Sequence, residues 1–265
     1  MTEEQQINII EEKYDDVWTH ILNYISYDGA NETIITSKQI KDAKKTWKGK
    51  QCQFEPRLLC KRDTYEKLPE IFKKYGICII SVSNSEYLLT KTNIYHTLVY
   101  NNDSEIIKIH KNNSSFLLNI GNSEMSMIDN LRYTDLFESA EYLNEPILFG
   151  SLLGGRHRCR FKTILGDKEI DVRGSQYETD SCYESQNKIL LIEAKKEVNK
   201  TFNIRQLYYP FRPIYDAVQN KKEIIPIFIN MDENTQIIHI WKFIFTNPLE
   251  ITSITCVAYN KYQLV

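Results

Sequence analysis

Two carboxylates and an ammonium stand at the ends of neighbouring segments of this chain. Asp180 closes Gln176-Tyr177-Glu178-Thr179-Asp180, and Glu193-Ala194-Lys195 follows the apolar run Ile189-Leu190-Leu191-Ile192. A continuous run of that length reads as a buried strand. Glu193 and Lys195 are two residues apart, so in an extended strand they share a face. The intervening Glu184-Ser185-Gln186-Asn187-Lys188 is polar and reads as a turn. With the turn centred between Gln186 and Asn187, antiparallel pairing sets Asp180 opposite Glu193 and Glu178 opposite Lys195. Period-two alternation then puts Gln176, Glu178 and Asp180 on the shared face. Opposed carboxylates repel and are costly to desolvate unless a cation or a shared proton offsets them. Two carboxylates with the Ala194 carbonyl suit a hard divalent ion, Mg²⁺ above all. Held there, such an ion would lower the pKa of a bound water and stabilise charge on a phosphodiester. Lys195 would orient or activate that water and neutralise developing charge. A solvated hairpin tip of mixed charge can carry the same residue types.

Asp180 and Glu193-Ala194-Lys195 resemble the PD-(D/E)xK nuclease signature, in the form D-x12-E-A-K. The proline that often precedes the aspartate in that family is replaced by Thr179. The flanks Phe202-Asn203-Ile204-Arg205-Gln206-Leu207-Tyr208-Tyr209, Glu55-Pro56-Arg57-Leu58-Leu59 and Leu68-Pro69-Glu70-Ile71-Phe72 resemble type II restriction endonucleases. The likeness is strongest over residues 165–215, looser over 55–90 and faint elsewhere. It implies a restriction-endonuclease-like mixed central β-sheet flanked by helices, an α/β (α+β) fold. It also implies Mg²⁺-dependent cleavage of double-stranded DNA at a specific sequence. Asp180, Glu193 and the Ala194 carbonyl would hold metal and Lys195 would assist the water. Glu178 is a candidate additional carboxylate, and Gln176 a residue that orients its neighbours. A cognate DNA methyltransferase would be the functional partner. Cutting both strands at a symmetric site favours a homodimer. A repair or RNA-processing nuclease of the same fold, or a DNA-binding regulator without catalysis, competes with this reading.

The whole chain sets bounds. It has 265 residues, 26% of them charged, with a net charge of −2, which excludes a protein that coats nucleic acid through bulk basicity. Its length admits one large domain or two small ones. The division expected is 1–145, a helical and β region serving as a possible DNA-recognition part, and 146–265, the nuclease domain. Six scattered cysteines lack the spacing of a zinc site or a disulfide framework. No signal peptide and no apolar run near ~18 residues is present, so a cytoplasmic protein with no membrane association is expected.

The elements that position the site follow from periodicity. Residues 9–27 have helical spacing, and Thr36 caps a second helix reaching about Trp47. Its lysines, including Lys44 and Lys45, form either a solvated face or a DNA-phosphate surface. Asp63 opens a third helix that stops at Gly76, and strands follow over Ile77–Ile80 and Tyr87–Leu89. Three helices and a hairpin are what a winged helix would have, and an elaboration of a nuclease would look the same. Short strands are expected over His96–Tyr100, Glu105–Ile109 and Ser115–Ile120, and a helix over Met127–Leu143. Arg156, Arg158 and Arg160 alternate after a glycine-rich turn and share one strand face, fitted to DNA phosphates or guanine edges, or to an exposed edge kept soluble by charge. Asn203 caps a helix that Pro210 and Pro213 kink or shorten, and the resemblance to nucleases implies that this helix lies beside the metal site and turns Arg205, Gln206 and Tyr209 towards it or towards DNA. Three further strands, Glu223–Asn230, Gln236–Phe245 and Ile251–Tyr259, complete the sheet.

Overall fold

The computed structural model describes residues 3–50, 52, 54–111, 115, 116, 118, 121 and 123–265, with side chains from Tyr14 onward. The architecture is mixed α+β, with a central mixed sheet flanked by helices.

The amino-terminal part runs α1 (Glu3–Tyr24), β1 (Thr33–Thr36), α2 (Ser37–Ala43), α3 (Pro56–Cys60), α4 (Glu70–Tyr75), β2 (Cys78–Ser81) and β3 (Glu86–Thr90). Its three strands form an antiparallel sheet in the order β1-β3-β2. Thr36 caps α2 through a reciprocal box with Gln39, each side chain meeting the other residue's backbone N–H. Here α-helix ends at Ala43, and a single tighter turn over Lys44–Thr46 completes the expected length. Pro56 starts α3 at a position where its missing N–H costs nothing. The helix expected from Asp63 begins only at Glu70, because the preceding backbone is engaged elsewhere. The Asp63 carbonyl accepts from Asn203 N, and Tyr65 N donates to Thr201 Oγ1. Gly76 ends α4 in the left-handed conformation, φ 59°.

The remaining elements are β4 (Tyr95–Thr97), β5 (Ile106–Ile109), α5 (Glu124–Arg132), β6 (Gly155–Leu165), β7 (Lys168–Thr179), β8 (Ser181–Glu184), β9 (Lys188–Lys195), β10 (Thr201–Asn203), α6 (Arg205–Val218), β11 (Glu223–Asp232), β12 (Ile237–Phe245) and β13 (Ile254–Leu264). The strand expected over Ser115–Ile120 falls largely outside the described residues. The helix expected to reach Leu143 ends at Arg132, and the left-handed Asp135, φ 61°, precedes a separate short turn. The central sheet has the order β5-β13-β12-β11-β9-β8. Within it β9 and β11 are parallel, joined by α6, which crosses over one face. Strands β6 and β7 form a separate long hairpin, and β10 pairs with β4.

Strand β9 is buried on both faces, as its apolar run requires. Leu190, Ile192 and Ala194 pack with Met127, Ile128 and Leu131 of α5. Ile189 and Leu191 face the other way, into a core shared with Leu207 and Phe211 of α6 and with Trp18 and Phe72 far upstream. Helix α6 passes through Pro210 and Pro213 without interruption. The ladder bonds forgone at the two prolines are offset by near-complete burial from Leu207 to Phe211. The expected boundary at 145/146 separates β4 from β10 and β5 from β13, strands that pair with one another.

Candidate active site

The β8–β9 register is Ser181↔Ile192, Cys182↔Leu191, Tyr183↔Leu190 and Glu184↔Ile189, the pairing that a turn centred on Gln186 and Asn187 demands. The turn is clamped from outside. Glu145 accepts from Ser185 Oγ at 2.6 Å, from Asn187 N at 2.9 Å and from Asn187 Nδ2 at 2.8 Å.

Pairing breaks at Asp180, where the chain bends out of the sheet. The Asp180 Oδ2 atom accepts the Ala194 N–H at 2.7 Å, so a side chain replaces the next backbone partner of β9. Strand β7 therefore leaves β9 and pairs with β6. This corrects one expectation: Glu178 lies opposite Arg156, not Lys195. It accepts from Arg156 Nε at 2.7 Å, which holds its carboxyl below the usual glutamate range.

Three oxygen donors converge at the end of β9. Lys195 Nζ lies 2.6 Å from Glu193 Oε1, 2.8 Å from the Ala194 carbonyl and 3.8 Å from Asp180 Oδ2. The ammonium thus sits among the three groups that the sequence pattern nominates as metal ligands. Helix α6 approaches from the side, and Gln206 Nε2 donates to the same Glu193 Oε1 at 2.7 Å. Glu124, first residue of α5, closes the far side with Oε1 3.9 Å from Lys195 Nζ.

Acid exceeds base here. Burial pushes the Glu193 carboxyl up to about 7, with Lys195 opposing and Asp180 adding to the rise. Burial also works against the Lys195 ammonium. Glu193, Asp180 and Glu124 together outweigh that effect and hold its pKa above the ordinary lysine value. Glu124 is likewise raised, chiefly by burial.

These donors fit a hard divalent ion. They are all oxygens, they already converge on a cation, and their net charge is negative. Gln206 Oε1 is shielded from solvent and has no hydrogen-bond partner, leaving an acceptor beside Glu193. Among the described residues no three His, Cys, Asp or Glu side chains gather into a complete ligand set. Two carboxylates and a carbonyl would leave water on the remaining positions, as Mg²⁺ prefers.

The donors open onto a cleft of about 290 Å³. Gln176 and Glu178 line it, as do Arg205 and Gln206. Another part of its wall comes from α3 and the segment after it, with Arg57, Lys61, Arg62 and Asp63. Arg156, Arg158 and Arg160 are all exposed on one face of β6, outside that lining. Lys44 and Lys45 are exposed at the end of α2, also apart from the cleft, and Lys45 pairs with Asp42 at 2.6 Å. Tyr209 is a correction. It was expected to reach DNA, but it is fully buried and its hydroxyl donates to the Ser81 carbonyl at 2.5 Å. Asn203 caps α6 from one position further out than expected, accepting from Arg205 N at 3.0 Å. Glu124 and Arg62 were not singled out by sequence reasoning, and Asp63 was read only as the start of a helix. Arg57 lay within a flank that resembled restriction enzymes, and that likeness was the available signal.

Residues 90–263 match the family described as Domain of unknown function (DUF6997). Residues 15–89 match a second, Domain of unknown function (DUF6996). The two meet at the end of β3. Neither a curated protein nor a solved structure matches the chain. Among the described residues no helix is long and apolar enough to cross a membrane.

Proposed function

The chain belongs to the DUF6997 family, and we propose that its activity is Mg²⁺-dependent hydrolysis of DNA phosphodiester bonds, in the manner of a type II restriction endonuclease. The observation that carries this reading is the convergence of Asp180 Oδ2, Glu193 Oε1 and the Ala194 carbonyl on one cation, the Lys195 ammonium. The element order supports it. Helix α5, hairpin β6–β7, strands β8 and β9, crossover helix α6 and parallel strand β11 are consistent with a restriction-endonuclease-like core.

Mg²⁺ held by Asp180, Glu193 and the Ala194 carbonyl would polarise a phosphoryl oxygen and acidify a bound water. Gln206 fixes the rotamer of Glu193 through Nε2 and offers Oε1 to a water. Lys195 would orient or activate the attacking water and, by hydrogen bonding as an intact ammonium, offset the negative charge that builds on the phosphate. Arg205 and the wall of Arg57 and Lys61 bring cationic charge to the strand entering the cleft.

The amino-terminal sheet order β1-β3-β2, with α1, α2, α3 and α4 before the final hairpin, is consistent with an elaborated winged helix. It supports a DNA-reading role for that region. It also favours the second reading, a DNA-binding regulator without catalysis. Double-strand cleavage at a symmetric site would be the work of a homodimer.

Purified protein incubated with unmodified plasmid and Mg²⁺ is expected to give discrete fragments, and Glu193→Ala to bind without cutting. Binding by the wild type with no Mg²⁺-dependent cutting would favour the regulator and end the nuclease reading.

A further inference from the structure

Arg62 is a half-buried cation in the cleft wall that forms no ion pair among the described residues, the neighbouring Asp63 carboxylate acting on it only at longer range. Among the described residues no carboxylate lies within ion-pair distance of it, although Lys61 beside it reaches Asp63 Oδ2 at 3.4 Å. Its Nε and Nη2 atoms are shielded from solvent and make no hydrogen bond. Those two atoms form the side-on edge of the guanidinium, the fork that takes two oxygens of a phosphate or carboxylate at once. An unpaired charge held out of water is costly, and the backbone here leaves it little room to escape. The Arg62 carbonyl accepts from Tyr95 Oη at 3.1 Å and from Asn203 Nδ2 at 3.0 Å. The next carbonyl, of Asp63, accepts from Asn203 N at 2.7 Å. The Tyr14 ring lies 4.8 Å from the guanidinium carbon and covers one of its faces.

Resting on the nuclease reading above, we propose that Arg62 is a second phosphate subsite, holding a non-scissile phosphodiester of the strand being cut. The scissile phosphate belongs with Lys195 and the carboxylates, which line the same cleft. Arg62 would therefore grip a neighbouring phosphate and fix the register of the strand relative to the site. The residue comes from the part that matches DUF6996, while the carboxylates come from the part that matches DUF6997. The subsite thus joins the two.

The test uses the full chain and a duplex carrying the cleavage site, found by sequencing the ends of plasmid products. Ca²⁺ replaces Mg²⁺ so that binding is read without turnover. Each phosphate of the cut strand is replaced in turn by a neutral methylphosphonate. One replacement, near but not at the cut, is expected to weaken wild-type binding about tenfold, the scale of a hydrogen-bonded charge. Arg62→Ala should bind the unmodified duplex about tenfold more weakly and lose nothing more from that replacement. Arg62→Lys, which keeps charge without the fork, should fall between, and both variants should melt no lower than wild type. If Arg62→Ala binds as wild type, or loses affinity yet still responds fully to every replacement, the subsite is overturned while the nuclease reading stands. A wild type that neither binds nor cuts any duplex overturns both.

Discussion

The Asp180 carboxylate accepts the Ala194 amide proton at 2.7 Å, at the point where β7 gives way to β8. One oxygen of a candidate metal ligand is thus already committed to the backbone. The side-chain oxygen of asparagine can take the same proton, so Asp180→Asn should keep the bend. Melting without metal should shift by less than about 1 kcal/mol equivalent, the scale of one exchanged hydrogen bond. Loss of a hard anionic ligand should lower cleavage by several orders of magnitude. An Asp180→Asn protein that melts far below wild type and still cuts plasmid would sink the assignment of Asp180.

Lys195 offers a sharper separation of metal from scaffold. Its removal leaves Glu193, Asp180 and Glu124 facing each other without the cation between them. Lys195→Ala should lose about 3 kcal/mol of stability in chelator, the scale of an orphaned buried charge. Mg²⁺ should return much of that loss by binding where the ammonium sat, without restoring cleavage. Thermal melts with chelator and with Mg²⁺ read the difference. A Lys195→Ala protein equally destabilised in both would mean that the site does not take the ion.

The arginines of β6 should not behave alike. Arg156 is already engaged by Glu178, whereas Arg158 lies opposite Gln176 and Arg160 opposite Arg173. Replacing Arg158 or Arg160 by alanine should weaken DNA binding and reduce the salt slope by about 1. Arg156→Ala should do less. Equal salt slopes in all three variants and wild type, measured by titration at several salt concentrations, would take this strand away from DNA.

Glu145 gives a prediction in pH. Bonds from Ser185 and Asn187 hold its carboxyl down at about 2, against 4.5 for an ordinary glutamate. A depressed folded pKa means that stabilisation is complete above 4.5 and is lost as pH falls towards 2. Wild-type melting temperature should decline through that window. Glu145→Gln should start lower at neutral pH and decline less steeply across it. Parallel curves for the two proteins would show that the clamp contributes nothing to the hairpin.

The hairpin was legible because each of its parts is a local signal. Ile189–Ile192 marks the buried strand, Glu184–Lys188 the turn, and arithmetic does the rest. The break at Asp180 was not legible, since alternation carries no sign that a side chain will replace a ladder partner. Tyr209 misled because its polar tip suggested an exposed residue, when a carbonyl of β2 satisfies that hydroxyl in the core. Glu124, Arg57 and Arg62 reach the cleft through tertiary packing between distant segments, and no periodicity within any of them encodes that meeting. The prolines of α6 obey a local rule that burial of the surrounding helix overrides.

The two walls of the cleft differ in how far along the chain they were gathered. Asp180, Glu193, Lys195 and Gln206 belong to one continuous stretch, so that wall can assemble through short loop closures. Arg57 and Arg62 arrive from far upstream, and the backbone at Arg62 is secured by Tyr95 and Asn203. Contacts of such long sequence separation close late and slowly. In a folding experiment followed by hydrogen exchange, amides of β8, β9 and α6 should gain protection before those around Arg62. Until that later step, a nascent chain would carry the acidic half of its site without the basic half that holds the strand.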